Sequence, residues 1–157
     1  MLPYFSGERT PINDPLAKGT VIGLSLAHTR GHLYRAVLEG VGYGINHHFD
    51  VLQEIGATPD TVVAGGGGTK SDLWLQIVSD ICQITQKVPA VTIGASYGNA
   101  FLAGLGVGVF STYHDINTWL PDIKEVVPNP ENTEIYKKTH SLYRELYRRT
   151  KAIMHEL

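Results

Sequence analysis

Apolar residues recur along this chain at helical spacing in four stretches, separated by two short β-branched runs. Leu33, Val37, Val41, Ile45, Phe49 and Leu52 fall at intervals of four or three, which predicts one stripe of a long helix. Thr29 is its expected cap and Gly56 its expected stop. Gly40 and Gly44, four apart inside it, predict a smooth patch against which another backbone packs closely. Leu73, Ile77, Ile81 and Ile84 predict a second helix over residues 72–84, capped by Ser71 or Asp72. A third, over residues 97–109, is capped by Ser96. Its small residues Ala100, Ala103, Gly104 and Gly106 suit tight packing on a sheet or helix. Asn129-Pro130 opens a fourth, with Ile135, Thr139, Leu142, Leu146, Thr150, Ile153 and Leu157 as its stripe. Tyr136, Tyr143 and Tyr147 fit packing onto the domain with their hydroxyls at the rim.

Thr61 to Ala64 and Lys87 to Thr92 read as short strands, Pro89 marking an edge or a strand start. The first twenty residues, punctuated by Pro3, Gly7, Pro11, Pro15 and Gly19, read as loop. The run Val21 to Leu26 is too short for its period to distinguish strand from helix. Residues 111–130 read as loop, with Trp119 as its anchor. The order of elements is that of an α/β fold. Two strands cannot cover four helices, so further strands are expected upstream. The uncovered apolar faces are expected to be covered by self-association into a homo-oligomer or by rearrangement of loops.

Composition narrows the class. The 157 residues are 43% hydrophobic with a net charge of −2, which argues against disorder and against a general attraction to nucleic acid or acidic membranes. No run is long enough to span a bilayer. Cys82 is the only cysteine and can form no intrachain disulfide, which points to a reducing, cytoplasmic setting. It is expected to be a buried small hydrophobe.

The chemistry concentrates in Gly65-Gly66-Gly67-Gly68-Thr69-Lys70-Ser71, between a strand and a helix. Glycines there let a phosphate or nucleotide approach the backbone, and the N–H groups of the helix start face its charge. A P-loop would need glycine where Thr69 and Ala64 stand, and a dinucleotide fingerprint would need it at Lys70 or Ser71. Both patterns fail. His28 and His32 read as polar residues at a helix start, and His47 and His48 as surface residues. Glu8 with Arg9, and Arg35 with Glu39, are expected ion pairs. The basic residues of the last helix read as a solvated face.

The segment Gly66 to Asp80 resembles the adenosine-binding segment of the FGGY carbohydrate kinases, members of the ribonuclease-H-like, actin-like ATPase superfamily. Three further segments agree in order. Leu2 to Pro11, with Asn13-Asp14-Pro15 and Lys18-Gly19, is similar to the GERTP loop of xylulokinase-type members. His28 to Val41 is similar to their long helix, and Gly94 to Gly104 to their last core helix.

The resemblance implies an α/β, ribonuclease-H-like domain, with residues 1–157 the C-terminal nucleotide-binding part of the second domain and residues 130–157 its last helix. It implies ATP-dependent phosphorylation, with Mg²⁺, of a sugar hydroxyl on a pentulose such as xylulose or a related ketose or polyol. Gly67 would meet the phosphates or ribose, Gly66 would shape that loop and Ser71 would meet the adenine, with Lys70 and Gln76 as neighbours. The catalytic aspartate, the phosphate hairpin and the sugar domain are implied to lie upstream of anything here. The chain alone is therefore expected to be inactive. The other reading is a non-catalytic nucleotide-binding or assembly module that docks on a partner chain.

Overall fold

A computed structural model describes residues 1–90, 94–119 and 122–157. Helix α1 spans Arg30–Glu54, strand β1 Val62–Val63, helix α2 Asp72–Cys82, strand β2 Gln86–Pro89, helix α3 Ala95–Gly106, strand β3 Ile123–Val126 and helix α4 Thr133–His155. β1 and β2 pair in parallel, joined by α2, and β3 lies antiparallel on the far side of β2. β3 falls in the segment expected to be loop: Ile-Lys-Glu-Val gains its strand character by pairing with β2, from Gln86 opposite Val126 to Pro89 opposite Ile123. Val91 and Thr92, expected to continue β2, lie outside the described residues.

α2 is the central element. Leu75, Ile77, Val78, Ser79, Asp80, Ile81 and Cys82 are all buried, so it is covered on nearly every side rather than along one stripe. Leu73, expected on the buried stripe, is exposed. α1 packs against α2 through Gly42: a Cβ there would stand 2.7 Å from Ile81 Cδ1. Gly40 also meets backbone, with the Met1 carbonyl 2.9 Å from an added Cβ, whereas Gly44 meets only the Tyr143 hydroxyl at 3.5 Å. Close approach thus turns α1 so that Leu38, Gly40, Gly42 and Tyr43 are buried, while Leu33 and Val37 of the expected stripe face outward. Gly56 ends the helix in the left-handed region at φ +71°, its N–H donating to Gln53 O at 3.0 Å.

The opening loop belongs to the core. Leu2, Tyr4 and Ala17 are buried with Leu38, Tyr43, Ile77, Ile81 and Met154, held by reciprocal backbone bonds between Leu2 and Thr20 and between Glu8 and Asp14. Residues 21–26 form no strand or helix, and Ile22, Leu24 and Leu26 are exposed.

α4 packs through the tyrosines expected to face the domain, while most of its expected apolar stripe stays outside. Tyr136, Tyr143 and Met154 are buried, whereas Ile135, Leu142, Ile153 and Leu157 are exposed. The tyrosines win because each hydroxyl finds a partner from a distant element. Tyr143 donates to Tyr4 OH at 2.8 Å, Tyr147 to Asp14 Oδ2 at 2.6 Å and Tyr136 to Glu39 Oε1 at 3.0 Å.

α3 starts at Gly94, at φ +70°, without a side-chain cap from Ser96. Ala100, Ala103 and Gly106 do not pack tightly, since only Phe101 of this helix is buried. Phe101 instead stacks on Phe110, and Trp119 meets both rings edge-on with centroids 5.7 and 5.1 Å away. Trp119 is thus the expected anchor of its segment, and a Cβ on Gly104 would strike Phe110 Cε2 at 2.6 Å.

Candidate nucleotide site

β1 leads through Ala64 and Gly65 into a short 3₁₀ turn, Gly67–Lys70, which runs directly into α2. Gly66 enters the turn at φ +92° and ψ −173°, a backbone conformation essentially reserved for glycine. Its carbonyl accepts from Thr69 N at 3.2 Å and Thr69 Oγ1 at 2.7 Å, which locks the turn. Gly68 is required by packing, because a Cβ would lie 2.6 Å from Trp74 Cζ3. At Gly67 no atom of the described residues lies within 4 Å of an added Cβ, so among them this glycine's backbone faces open space.

Ser71 caps α2. Its Oγ accepts from Trp74 N at 3.3 Å, which leaves the hydroxyl hydrogen for another acceptor. Lys70 is exposed and forms no ion pair or hydrogen bond among the described residues. The fold therefore brings Gly66, Gly67, Lys70 and Ser71 together on one turn at the positive end of α2. Asp72, in the first turn of α2, is paired with Lys124 of β3 at 2.7 Å.

Gln76 is engaged otherwise. Its Nε2 donates to Asp80 Oδ1 at 2.7 Å and to Val127 O at 2.9 Å, which ties α2 to the chain after β3. Asp80 is almost wholly buried and also accepts from Asn129 N at 2.7 Å and Asn132 Nδ2 at 2.8 Å. Ser79, Gln86 and Val126 add a second buried junction: Ser79 Oγ donates to Val126 O, and Gln86 Nε2 donates to Ser79 Oγ, both at 2.9 Å. Sequence reasoning missed both junctions, which link residues about fifty positions apart.

Behind the turn lies an apolar cavity of about 270 Å³ walled by Ile45, Phe49, Val63, Trp74, Val78 and Ile84. Trp74 lines this cavity, and its Nε1 is buried without a hydrogen-bond partner among the described residues. No three His, Cys, Asp or Glu side chains converge as metal ligands among the described residues.

The chain matches the FGGY family of carbohydrate kinases, C-terminal domain, over residues 1–107. The chain belongs to the FGGY family of carbohydrate kinases. Xylulose kinase of Staphylococcus epidermidis is 35% identical over 99% of this FGGY chain and 32% of its own length. The crystal structure of xylulose kinase from Rhodospirillum rubrum superposes with a TM-score of 0.81 and 36% identity, covering 98% of this chain and 31% of that one. A Plasmodium falciparum glycerol kinase, crystallised with ADP, gives 0.78 and 26% identity over 95% of this chain and 30% of that one. The FGGY chain thus spans about a third of the length of its relatives, and its fold is a partial C-terminal α/β domain of the ribonuclease-H-like, actin-like ATPase type.

The remaining candidates of this FGGY chain resolve structurally. His28 Nδ1 accepts from Ser25 N at 3.0 Å, and His32 Nδ1 accepts from Thr29 N at 3.1 Å, so both finish local turns at the start of α1. Arg35 pairs with Glu39 at 2.7 Å. Glu8, expected to pair with the Arg9 guanidinium, accepts from the Arg9 backbone N–H at 2.9 Å instead. His48 is exposed, but His47 is half-buried, contrary to its expected place on the surface. Cys82 is buried, and that burial pushes its thiol up to about 12, which makes it inert as a nucleophile. No helix is long and apolar enough to cross a membrane among the described residues.

Proposed function

We propose that this chain supplies the adenosine side of an ATP site in an enzyme that phosphorylates a sugar hydroxyl, with a pentulose such as xylulose, or a related ketose or polyol, as acceptor. The observation that carries the reading is the open backbone at Gly67, on a turn shaped by Gly66 and running into the N-terminus of α2. The xylulose kinase relatives support the choice of acceptor, and the glycerol kinase crystallised with ADP supports the choice of nucleotide.

In this reading the nucleotide lies along the 3₁₀ turn. Gly66 and Gly67 admit the ribose and phosphates, which a side chain would hold away. The amides at the start of α2 oppose the negative charge, and Lys70 adds a flexible cation beside them. The Ser71 hydroxyl, its oxygen already fixed by the cap to Trp74, donates to the edge of the base. Mg²⁺ brought with ATP would supply positive charge at the phosphate oxygens, and no side chain of this chain is assigned to hold it. The base that takes the proton from the sugar hydroxyl, and the clamp on the transferred phosphoryl group, come from outside this chain. The chain by itself therefore binds nucleotide without turning it over. The reading makes residues 1–157 a nucleotide-binding domain, with residues 130–157 as the helix that closes it.

Calorimetric titration with ADP, followed by a coupled kinase assay with xylulose, tests this. Saturable ADP binding by the folded chain, lost in Gly67→Ala, is expected. Turnover appears only when the N-terminal two-thirds of a xylulose kinase is added. Undetectable ADP binding by the folded chain, or xylulose phosphorylation by the chain alone, would overturn the reading.

A further inference from the structure

A second cavity, of about 470 Å³, lies where the opening loop, α1 and α4 meet, and it shares no lining residue with the cavity behind the glycine turn. Its volume is that of a small-molecule site. The opening loop contributes Tyr4 and Ile12, α1 contributes His47, and α4 contributes Ser141, Tyr143, Arg144, Tyr147 and Arg148. The wall thus holds two guanidinium groups, an imidazole and four hydroxyls, and no carboxylate.

The nearby acids are engaged elsewhere, and none lines the cavity. Asp50 accepts from Arg144 Nη1 at 3.2 Å and His140 Nε2 at 2.7 Å. Glu145 takes Arg148 Nη2 at 2.7 Å and Arg149 Nε at 2.5 Å. Asp14 is occupied by Tyr147 and His155. Each arginine of the wall therefore spends one corner on an acid and keeps the rest of its five donors.

Two further groups are unspent. His47 Nδ1 is buried with no partner among the described residues. Tyr4 accepts the Tyr143 proton, and its own hydroxyl hydrogen has no acceptor among the described residues. Burial first, and the Arg144 guanidinium second, hold His47 below the ordinary histidine range, so near neutral pH it is an uncharged hydrogen-bonding group. The remaining wall is apolar: the Tyr4 ring meets Tyr143 and Tyr147 edge-on, with centroids 6.2 and 5.8 Å away, and Ile12 closes one side.

We propose that this cavity is a second ligand site, for a small phosphate monoester. The phosphate oxygens sit between Arg144 and Arg148 with Tyr4 as a further donor and His47 in the wall beside them, and the carbon body lies on the tyrosine rings and Ile12. Guanidinium forks suit tetrahedral oxyanions, and the aromatic floor suits a carbon-bearing ester over the bare ion. The site stands on its own geometry and does not rest on the nucleotide reading of the glycine turn.

The test is calorimetric titration of the full chain with ribose 5-phosphate, inorganic phosphate and unphosphorylated ribose, with folding followed by far-UV circular dichroism. Arg148→Gln changes a largely exposed side chain and is expected to fold; His47→Gln retains a polar amide. Saturable binding of ribose 5-phosphate, none of ribose, and a loss of about tenfold in either variant is expected. Binding persists in Gly67→Ala, which separates this site from the glycine turn. Equal affinity for inorganic phosphate would mean that the phosphate group alone is recognised, and would overturn the assignment to a monoester. Absence of saturable binding up to about 10 mM, unchanged affinity in both variants, or loss of binding in Gly67→Ala would overturn it.

Discussion

His155, near the end of α4, places its Nε2 2.8 Å from Oδ2 of Asp14, in the turn of the opening loop. The Tyr147 hydroxyl reaches the same carboxylate oxygen at 2.6 Å, and Leu16 N donates to Oδ1 at 3.1 Å. Asp14 is only 3% exposed, so these contacts fasten the two ends of the chain to each other through one sequestered charge.

Asp14 therefore governs acid stability. The Tyr147 hydroxyl foremost, then His155, hold its carboxyl down to about 2 from an ordinary 3.8. A depressed folded-state value means the stabilisation is complete above about pH 4 and disappears as the pH falls toward 2. Asp14→Asn is expected to lower the Tm at pH 7 and to flatten the pH dependence of stability across that window. Thermal melts by circular dichroism at a series of pH values would show this, and an Asn variant with the wild-type acid profile would contradict it.

Glycines of the turn separate folding from binding. Gly67→Ala meets no atom of the described residues within 4 Å, so its melting temperature stays within about a degree of wild type. It should nonetheless weaken ADP, because the methyl group occupies the approach to the backbone. Gly66→Ala, at φ +92°, is expected to lose about 1 kcal/mol or more of stability as well. Paired melts and ADP titrations distinguish the two; equal Tm losses would refute the assignment.

Ile77 tests the central helix. It is 1% exposed and packs beneath α1 at Gly42. Ile77→Ala should cost about 2–5 kcal/mol in urea unfolding. Leu73→Ala, on the exposed side of the same helix, should cost less than about 1 kcal/mol. Similar losses at both sites would mean that α2 is not buried as described.

The outward face of α4 predicts association. Leu142 and Ile153 are 57% and 62% exposed on one line of the helix. Sedimentation of the chain should show concentration-dependent self-association that Leu142→Lys with Ile153→Lys reduces. A monodisperse monomer at all concentrations would exclude this face as the cause.

Much of the local structure was legible. Helix starts and stops follow short-range rules, so Ser71 capping α2 and Gly56 closing α1 could be read from neighbouring residues. The clustering of Gly66, Gly67, Lys70 and Ser71 was legible for the same reason: six consecutive residues on one turn stay together whatever the rest of the chain does. β3 was not, because Ile-Lys-Glu-Val carries little strand signal until β2 pairs with it. His47 was misread because its neighbours in sequence do not announce α4 packing over it.

The sequence by itself determined that the chain is α/β, that a glycine turn precedes a capped helix, and that four ordered segments resemble FGGY kinases. The sequence offered two faces of α4 for packing, an apolar stripe and a set of tyrosines, and only the tertiary structure decided between them. Apolar periodicity favoured Ile135, Leu142 and Ile153, yet the tyrosine face lies inside because Tyr4, Asp14 and Glu39 supply partners for its hydroxyls. Those partners stand roughly a hundred or more positions away, so no local pattern contains them. The same convergence of distant elements closes the tyrosine–arginine cavity, whose donors are scattered from Tyr4 to Arg148 in the sequence and share one wall only after folding.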